Sequence, residues 1–507
     1  MPEPLWATAA TIIADGAALG AGRVCFPVDG AFVSVDVVES QVEDALRRHE
    51  PTRYKFQHRR EARWENIGGY RPAFRADVVR RAIASADLPA LRTFDRRDLV
   101  AARASEPART ATALGTLERH AIEGLAGPGG IARLGGIRHA LADTTGALGP
   151  EGAFLLAELT LLEAALEAGL EEALESRDVD AVRAAVVARA GSAGWGDDAS
   201  AAAVELMLGR LASLVDRDAA AAHLRRAEQL GAGELGGVFA FDRGAATYAT
   251  AAEVEGDPSG LTAEIHAGIV PVAQRPPGSD LALLVSIDES FFRIYAPQLI
   301  HLAQQLPGVD LVLLLCGSAD PAALAAEVET YAAALASLNR SGRPSNLHVV
   351  ATPVPGGVAQ ARTFYACARF YAVRAMLERY PRLYLMDADL TVTADPTAFL
   401  DRLADVPLAF PRSRGLPALW PWRRFAAGNV AVNRDVLATD ALDHLEAYLS
   451  HGLTRSGSWT LDQNALAYVA ERSPDAVQRL NHGRRPFAQI AFRSTWERTF
   501  AQQNRKG

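Results

Sequence analysis

The sequence predicts an α/β fold in which a mainly parallel sheet with flanking helices occupies the C-terminal half and a largely helical region precedes it. Two observations indicate this arrangement. After residue 280, short continuous apolar runs alternate with helix-like segments, as expected for strands that are buried on both faces of a parallel sheet. Before residue 270, the composition is rich in Ala, Leu, Glu and Arg, and leucines recur at helical spacing.

The first 110 residues are predicted to form a mixed region. Ala31–Val38 alternates in polarity like a strand. The segment Arg53–Trp64 that follows is basic, with interleaved aromatic residues. It is either an anion or acceptor site or, more simply, a solvated helix face with buried aromatic side chains.

Residues 111–270 are predicted to be mainly α-helical. Leucines recur at steps of three or four from Leu155 to Leu174, which predicts an amphipathic helix. Ala201–Leu214 and Ala219–Leu230 predict two further helices. Because the sequence has no repeat of fixed period, we expect a helical bundle or irregular helical hairpins rather than a solenoid.

A Pro/Gly-rich segment at 271–280 is predicted to be a linker, and a second domain is predicted at 281–507. The predicted strands of this domain are Leu281–Ser286, Leu311–Cys316, Leu347–Val350 and Leu383–Met386. The predicted helices between them are Tyr295–Gln305, Ala322–Leu338 and Thr363–Tyr380. Ligands of such sheets bind at the carboxyl ends of the strands.

Composition narrows the classes of function. The 507-residue chain has a net charge of −8, which argues against nucleic acid as the main partner. Its three cysteines lie far apart and form no CxxC pair, so we expect neither a disulfide framework nor a zinc site, and a cytoplasmic location fits best. The longest apolar runs are strand-sized, and the sequence therefore predicts no transmembrane segment.

The segment Arg382–Val392 carries the most chemical information. It predicts a buried strand that ends at Asp387 and Asp389. Side chains at i and i+2 of an extended chain point to the same side, so both carboxylates can bind one hard cation. Asp288 and Glu289 follow the first predicted strand, and we expect them to face the same crevice as Asp387.

Five pieces of sequence occur in an order that resembles GT-A nucleotide-sugar glycosyltransferases, most closely family 8, the type of glycogenin and bacterial lipopolysaccharide galactosyl- and glucosyltransferases. They are Asp288–Phe291, Arg369, Tyr384–Asp389, Phe425–Asn433 and Asp462–Leu466. The resemblance covers roughly residues 280–490. It implies a GT-A-type sheet, a nucleotide-diphosphate sugar as donor, Mn²⁺ or Mg²⁺ as cofactor, and retention of anomeric configuration.

The resemblance also implies roles for individual residues. Asp288 and Ser290 match positions that contact the nucleoside, Arg369 an arginine near the diphosphate and donor sugar, and Asp387 and Asp389 the metal pair. Gly428 matches a glycine that lines the donor sugar, and Asp462 and Gln463 match the residues at the reacting face of that sugar. His482 matches the third metal ligand.

The chain departs from the family at two places. The family's asparagine in the glycine segment is Ala426 here, although Asn429 can substitute for it. The family's late histidine motif is shortened to His482–Phe487, so His482 is either a ligand or a surface histidine.

Structural alternatives exist for several of these residues. Gln463 fits a capping box with Thr460, Arg369 fits a helix surface, and Asp387 fits a turn at a strand end. The segment Pro411–Arg424 contains Trp420 and Trp422, for which we weigh stacking on acceptor or donor sugars against packing in the protein.

The sequence thus predicts a metal-dependent hexosyltransferase, with a UDP-sugar as donor by resemblance. A nucleotidyltransferase is disfavoured because Ser286–Glu289 is acidic and lacks the glycine-rich phosphate loop that such enzymes use after the first strand. The main alternative is a catalytically degenerate nucleotide-sugar-binding domain on a helical scaffold. The sequence specifies neither the acceptor nor the oligomeric state.

Overall fold

The helical region consists of six main helices packed around a leucine-rich core. The computed structural model describes four short strands before residue 70, most of residues 114–481 and the pair Phe492–Arg493; its longer gaps are 237–243, 293–298, 339–345, 393–396, 456–459 and 482–491. The main helices are α1 (Gly130–Ala142), α2 (Thr145–Glu167), α3 (Leu170–Ser176), α4 (Asp180–Ala193), α5 (Asp198–Ala212) and α6 (Arg217–Gln229). Helix α2 packs against α1, α4 and α5, and α5 packs against α6.

The leucines of the predicted amphipathic helix are buried, but they belong to two helices rather than one. Leu155 and Leu162 lie on α2, whereas Leu170 and Leu174 lie on α3. The helix is interrupted at Gly169, whose φ of 88° lies in the left-handed region. The leucine spacing continues across the break, so the sequence pattern did not reveal it.

Three shorter helices connect this region to the sheet. They are α7 (Ala232–Gly236), α8 (Ala251–Glu255) and α9 (Leu261–Gly268). Helix α8 begins with a complete capping box, in which Thr250 and Glu253 satisfy each other's backbone N–H groups. Among the helices that the structure describes, none is both long and apolar enough to cross a membrane.

The C-terminal half forms a mixed, mainly parallel sheet that has eight strands in the described part of the chain. The strands are β1 (Val270–Ala273), β2 (Leu281–Asp288), β3 (Asp310–Cys316), β4 (Leu347–Thr352), β5 (Arg382–Met386), β6 (Leu408–Arg412), β7 (Asn429–Asn433) and β8 (Val477–Asn481). Their spatial order is β8-β6-β7-β5-β2-β3-β4-β1. Strands β5, β2, β3 and β4 run parallel, whereas β7 runs antiparallel to both β5 and β6.

Five helices accompany the sheet. They are α10 (Pro321–Leu338), α11 (Ala361–Leu377), α12 (Thr397–Asp401), α13 (Ala441–Leu453) and α14 (Leu461–Arg472). Helices α11, α13 and α14 share one apolar core with one face of the sheet. The predicted mainly parallel sheet with flanking helices, preceded by a largely helical region, is confirmed, whereas the GT-A type of the sheet stays a prediction.

The segment 271–280 begins as a strand, which the linker prediction missed. Val270–Ala273 pairs with β4 at the edge of the sheet, with a register irregularity at Pro271. An edge strand tolerates proline because one side of the strand needs no ladder partner. The predicted domain boundaries otherwise stay predictions.

Two expectations for the remaining segments differ in outcome. The basic segment of the mixed region lies partly on the paired strands Lys55–His58 and Arg63–Asn66 rather than on a helix. Most of the predicted helix Tyr295–Gln305 lies outside the described residues.

Candidate active site

The candidate site lies at the carboxyl ends of β2 and β5. These strands are parallel neighbours, with Val285 opposite Met386, so their carboxyl ends share one edge of the sheet. Asp288 ends β2, and Asp387 directly follows β5. Strand β7 runs in the opposite direction and starts opposite Met386, which brings the preceding segment, with Gly428, to the same edge.

One buried guanidinium group holds the site together. Arg369 on α11 is 2% exposed, and its Nη2 lies 2.8 Å from Asp387 Oδ1 and 3.3 Å from Asp462 Oδ2. The same nitrogen donates to the carbonyl oxygen of Ala427 at 3.2 Å. The predicted alternative, a helix-surface arginine, is therefore wrong, because burial of a guanidinium requires the acceptors that it finds here.

The Nε of Arg369 is buried and has no hydrogen-bond partner among the described residues. A guanidinium has five N–H donors, and here a single nitrogen serves three acceptors. The arginine therefore fixes the two carboxylates in place while part of its own donor capacity is unused.

Asp462 is the most strongly perturbed carboxyl group of the site. It lies in the first turn of α14, is 5% exposed, and its Oδ1 accepts from the N–H of Gln463 at 2.8 Å. Burial raises its pKa to about 7; Arg369 opposes this shift, and the negative charge of Asp387 adds to it. Near neutral pH this carboxyl group can therefore either hold or release a proton.

Gly428 is required by its contact with Asp387. A Cβ at this position would lie 2.2 Å from Asp387 Oδ2 and 2.7 Å from Asp387 Cγ. The missing side chain therefore lets the β5 carboxylate lie directly against the backbone that precedes β7.

Asp288 lies at the same edge and accepts a hydrogen bond from the N–H of Phe291 at 2.7 Å. Burial and the charge of Asp288 raise the pKa of Tyr365, so the two side chains interact. The Tyr365 hydroxyl lies at the end of β3, since a Cβ at Gly317 would be 3.1 Å from it. Ser290, the other predicted nucleoside contact, lies outside the described residues.

Tyr365 was not predicted from the sequence, and neither was Arg362. Arg362, Tyr365 and Arg369 follow one another at steps of three and four, which places them on one face of α11. Arg362 is exposed at the first turn, at the end of the helix that faces the carboxyl ends of the strands. The helical spacing from Arg369 was the signal that could have found both.

Asn429 and Gln463 lie beside the Arg369 cluster, and Asn429 already makes a hydrogen bond within the protein. The hydroxyl of buried Tyr384 donates to Asn429 Oδ1 at 3.1 Å, which leaves the amide N–H groups of Asn429 as its donors toward a ligand. Gln463 is half-buried next to Asp462. The alternative of a capping box is wrong, because Thr460 makes no side-chain capping hydrogen bond at the start of α14.

The residues that the structure describes provide only part of a metal site. Among them, no group of three or more His, Cys, Asp or Glu side chains could hold an ion. Asp387 fits the chemistry, because its carboxylate is 43% exposed and only Oδ1 contacts Arg369. The other predicted ligands, Asp389 and His482, lie outside the described residues.

The hypothesis that Trp420 and Trp422 stack on sugars is wrong. Both are fully buried in the core of the helical region, together with Leu416 and Leu419. Arg210 of α5 lies over the Trp420 ring, with its Cζ 4.9 Å from the ring centroid. These tryptophans join the sheet region to the helical region and leave no ring face for a ligand.

No protein-family model matches the sequence, and no curated protein matches it. Among solved structures, the fold is similar to mouse xyloside xylosyltransferase 1 in its apo form, with 13% identity and a TM-score of 0.27, over 40% of this chain and 85% of that chain. It is also similar to the glycosyltransferase GlyE of Streptococcus pneumoniae TIGR4, with 17% identity and a TM-score of 0.26, over 39% of this chain and 44% of that chain. This chain thus matches less than half of GlyE, and at scores this low we base no argument about function on either likeness.

Proposed function

We propose that this chain is a metal-dependent glycosyltransferase that moves a hexose from a nucleotide-diphosphate sugar, with UDP as the nucleotide, to an acceptor with retention of anomeric configuration. The observation that carries the proposal is the buried Arg369 held between Asp387 and Asp462. In this cluster two carboxylates converge on one guanidinium at the carboxyl ends of parallel strands, where ligands of such sheets bind. The pKa of one of them, Asp462, is strongly raised, and strongly perturbed pKa values are typical of functional sites.

The metal is assigned to Asp387 and Asp389, with His482 as a third ligand. Mn²⁺ or Mg²⁺ supplies positive charge to the diphosphate leaving group when it is bound. The 43% exposure of the Asp387 side chain supports this assignment.

Arg369 acts in this proposal as a positioning residue. At 2% exposure its guanidinium is too deeply buried to reach far into the crevice, and its contacts are with Asp387, Asp462 and the Ala427 carbonyl. It sets the direction of the Asp387 carboxylate and holds the Ala427–Gly428 backbone against it. Polar groups that are already oriented in the folded protein can stabilise charge in the transition state without having to reorient during the reaction.

Asp462 and Gln463 face the donor sugar in the proposal. A carboxyl group with a pKa of about 7 can exchange a proton with a sugar hydroxyl at neutral pH. Asp288 and Ser290 contact the nucleoside, and Gly428 and Asn429 line the sugar. The Asn429 amide donors replace the polar group that Ala426 lacks.

The test is a Mn²⁺-dependent hydrolysis screen over common nucleotide sugars with the wild type, Asp387→Asn and Asp389→Ala. We expect release of nucleotide from one donor class, and a loss of about a hundredfold or more in both variants, the scale seen when one transition-state contact is removed. Asp180→Asn is the matched control, because its carboxylate is 83% exposed on α4, outside the site.

Two outcomes contradict the proposal. Nucleotide binding that depends on metal, without turnover in the presence or absence of acceptor mixtures, would indicate the catalytically degenerate domain. Absence of nucleotide binding would show that the Asp387–Asp389 strand end is not a donor site.

A further inference from the structure

A cavity of about 460 Å³ lies between the helical region and the sheet. Its wall on the helical side includes Arg177, after α3, and the segment 213–218. Its wall on the sheet side includes Arg412 at the end of β6, Arg479 on β8, and the last turns of α14. The cavity shares no lining residue with the Arg369 cluster, so it is separate from the candidate active site.

The lining of this cavity is basic. Its charged residues are the arginines Arg177, Arg217, Arg412, Arg424, Arg472 and Arg479 and the acids Asp216, Asp218 and Glu471. Part of this charge is neutralised inside the protein. Arg217 Nε donates to Glu471 at 2.7 Å, and Arg472 donates to Glu255 at 2.9 Å.

Arg424 is also committed to the protein. It is buried, and it donates to the carbonyl oxygen and the hydroxyl of Ser213 at 3.0 and 2.9 Å. It therefore forms part of the floor of the cavity. The charge that faces the open space comes from the other three arginines.

Arg177, Arg412 and Arg479 are the least neutralised arginines of the lining. The nearest acid to Arg412 is Glu175 at 3.6 Å, and that side chain is 65% exposed to solvent. Arg479 donates to the carbonyl oxygen of Ala470 at 2.8 Å, and no carboxylate of the described residues lies within 4 Å of Arg177 or Arg479. Burial, and then the charges of Arg177 and Arg412, lower the pKa of Arg479, while the negative charge of Glu471 opposes this shift, as expected for cations that are close together and only partly neutralised.

The backbone of Arg177 is a second, independent observation. Its φ of 64° and ψ of 15° are left-handed, and it is the one residue other than glycine with positive φ among those that the structure describes. Glycine usually occupies this position after a helix, since it avoids the clash of a Cβ. Here an arginine occupies it, at the wall of the basic cavity, and such outliers are concentrated at functional sites.

We propose that this cavity binds a small phosphorylated molecule through Arg177, Arg412 and Arg479. The planar guanidinium fork matches pairs of phosphate oxygens, and the six arginines of the lining outnumber its three acids, which favours an anion such as phosphate. The volume lies within the range of small-molecule sites. A diffuse basic surface would not require a strained arginine at its edge.

The proposed site is joined to the candidate active site by α14. Asp462 lies in the first turn of this helix, and Ala470 lines the cavity eight residues later, about 12 Å along the helix axis. A phosphate probe has to be assigned to one of the two sites, so a variant of each is needed in the experiment.

The experiment is isothermal titration of inorganic phosphate into the full chain, at constant ionic strength and with a chelator to remove divalent cations. We expect 1:1 binding that Arg177→Gly weakens about tenfold, as for the loss of a charge-assisted hydrogen bond. Glycine accepts the left-handed φ, so this variant should melt at the same or a higher temperature than the wild type. Arg412→Gln should weaken binding to a similar extent.

Two controls assign the site. Arg183→Gln removes an arginine of α4 that is 56% exposed and lies outside the cavity, and Asp387→Asn alters the donor site; both should bind phosphate like the wild type. Equal binding by Arg177→Gly and wild type would overturn the proposal, as would a loss of binding in Asp387→Asn alone. Absence of phosphate binding by the wild type would overturn it as well. The readout is independent of glycosyl transfer, so failure of the proposed function does not decide it.

Discussion

The two ends of the central sheet differ in how completely their buried charged groups are hydrogen-bonded within the protein. At the end where β3 and β4 begin, Asp310 Oδ2 accepts from His348 Nε2 at 3.1 Å, from the Tyr380 hydroxyl at 3.1 Å and from the N–H of Gly278 at 2.9 Å. His348 Nδ1 accepts from the N–H of Arg275 at 3.3 Å, which sets its proton on Nε2. Each polar group of this network has a partner within the chain.

At the opposite end of the sheet, where β2 and β5 finish, the donors and acceptors are not matched in this way. One nitrogen of Arg369 serves Asp387, Asp462 and a backbone carbonyl, while its Nε has no partner among the described residues. The first network stabilises the fold and is closed. The second is unbalanced, because burial raises the pKa of Asp462 to about 7, and under the proposed function a bound donor supplies the missing partners.

Removal of the acceptor at the closed end should give the largest loss of stability. Asp310→Ala leaves the buried donors His348 and Tyr380 and the N–H of the exposed Gly278 without their acceptor, so we expect the free energy of unfolding to fall by about 3–5 kcal/mol. The measurement is urea denaturation followed by circular dichroism. Nucleotide release per folded molecule should stay at the wild-type level.

Asp180→Ala is the control, because this carboxylate is 83% exposed and its pair with Arg183 should contribute less than about 1 kcal/mol. Asp310→Asn keeps one oxygen acceptor and should lose less stability than Asp310→Ala. The comparison between the two ends fails if Asp310→Ala unfolds at the wild-type urea concentration and instead loses nucleotide release.

In contrast to Asp310→Ala, Gly428→Ala should reduce activity more than stability. The new Cβ would displace the Asp387 carboxylate from its 2.8 Å contact with Arg369. We expect a loss of about tenfold to a hundredfold in metal-dependent nucleotide release, the scale of a misplacement near 1 Å. Because Arg369 keeps Asp462 and the Ala427 carbonyl as acceptors, the free energy of unfolding should fall by less than in Asp310→Ala.

Gly308→Ala is the matched substitution, since a Cβ at Gly308 has no atom within 4 Å. It should change neither activity nor stability. Full activity in Gly428→Ala would show that the position of Asp387 against the backbone is irrelevant to the reaction.

Half of the eight described strands, the parallel centre of the sheet, could be predicted because they are continuous apolar runs. Strands β2, β3, β4 and β5 begin and end within two residues of their predicted bounds. Strand β1 was missed because it is four residues long and contains Pro271. Such a strand depends on its neighbour rather than on its own sequence.

The site could be predicted as a set of residues but not as a contact network. The positions of Arg369, Asp387, Gly428 and Asp462 were identified from their order along the chain. Their sharing of one guanidinium depends on the register of β7 against β5 and on the position of α14. The choice between stacking and packing for Trp420 could not be made from the sequence for the same reason, since its partners lie in helices about 200 residues earlier in the chain.

The smallest predicted effect is a pH dependence that belongs to Asp462. Its pKa in the folded protein is about 7, above the value of an unfolded aspartate, so folding binds a proton between these two values. Its contribution to stability is therefore fully present below about pH 4 and is lost as the pH rises toward 7. We expect the free energy of unfolding of the wild type to fall over this interval relative to that of Asp462→Asn, measured by urea denaturation with a chelator present.

Asp440 provides the control for the sign of this effect. The hydrogen bond from Ser473 lowers the pKa of Asp440, which is fully exposed, so its contribution is present above its ordinary pKa and is lost as the pH falls. Asp440→Asn should therefore alter the stability profile only on the acid side, whereas Asp462→Asn alters it between pH 4 and 7. If both variants shift the profile on the acid side, Asp462 is an ordinary paired carboxylate. The carboxyl end of the sheet would then be as closed as the end that contains Asp310.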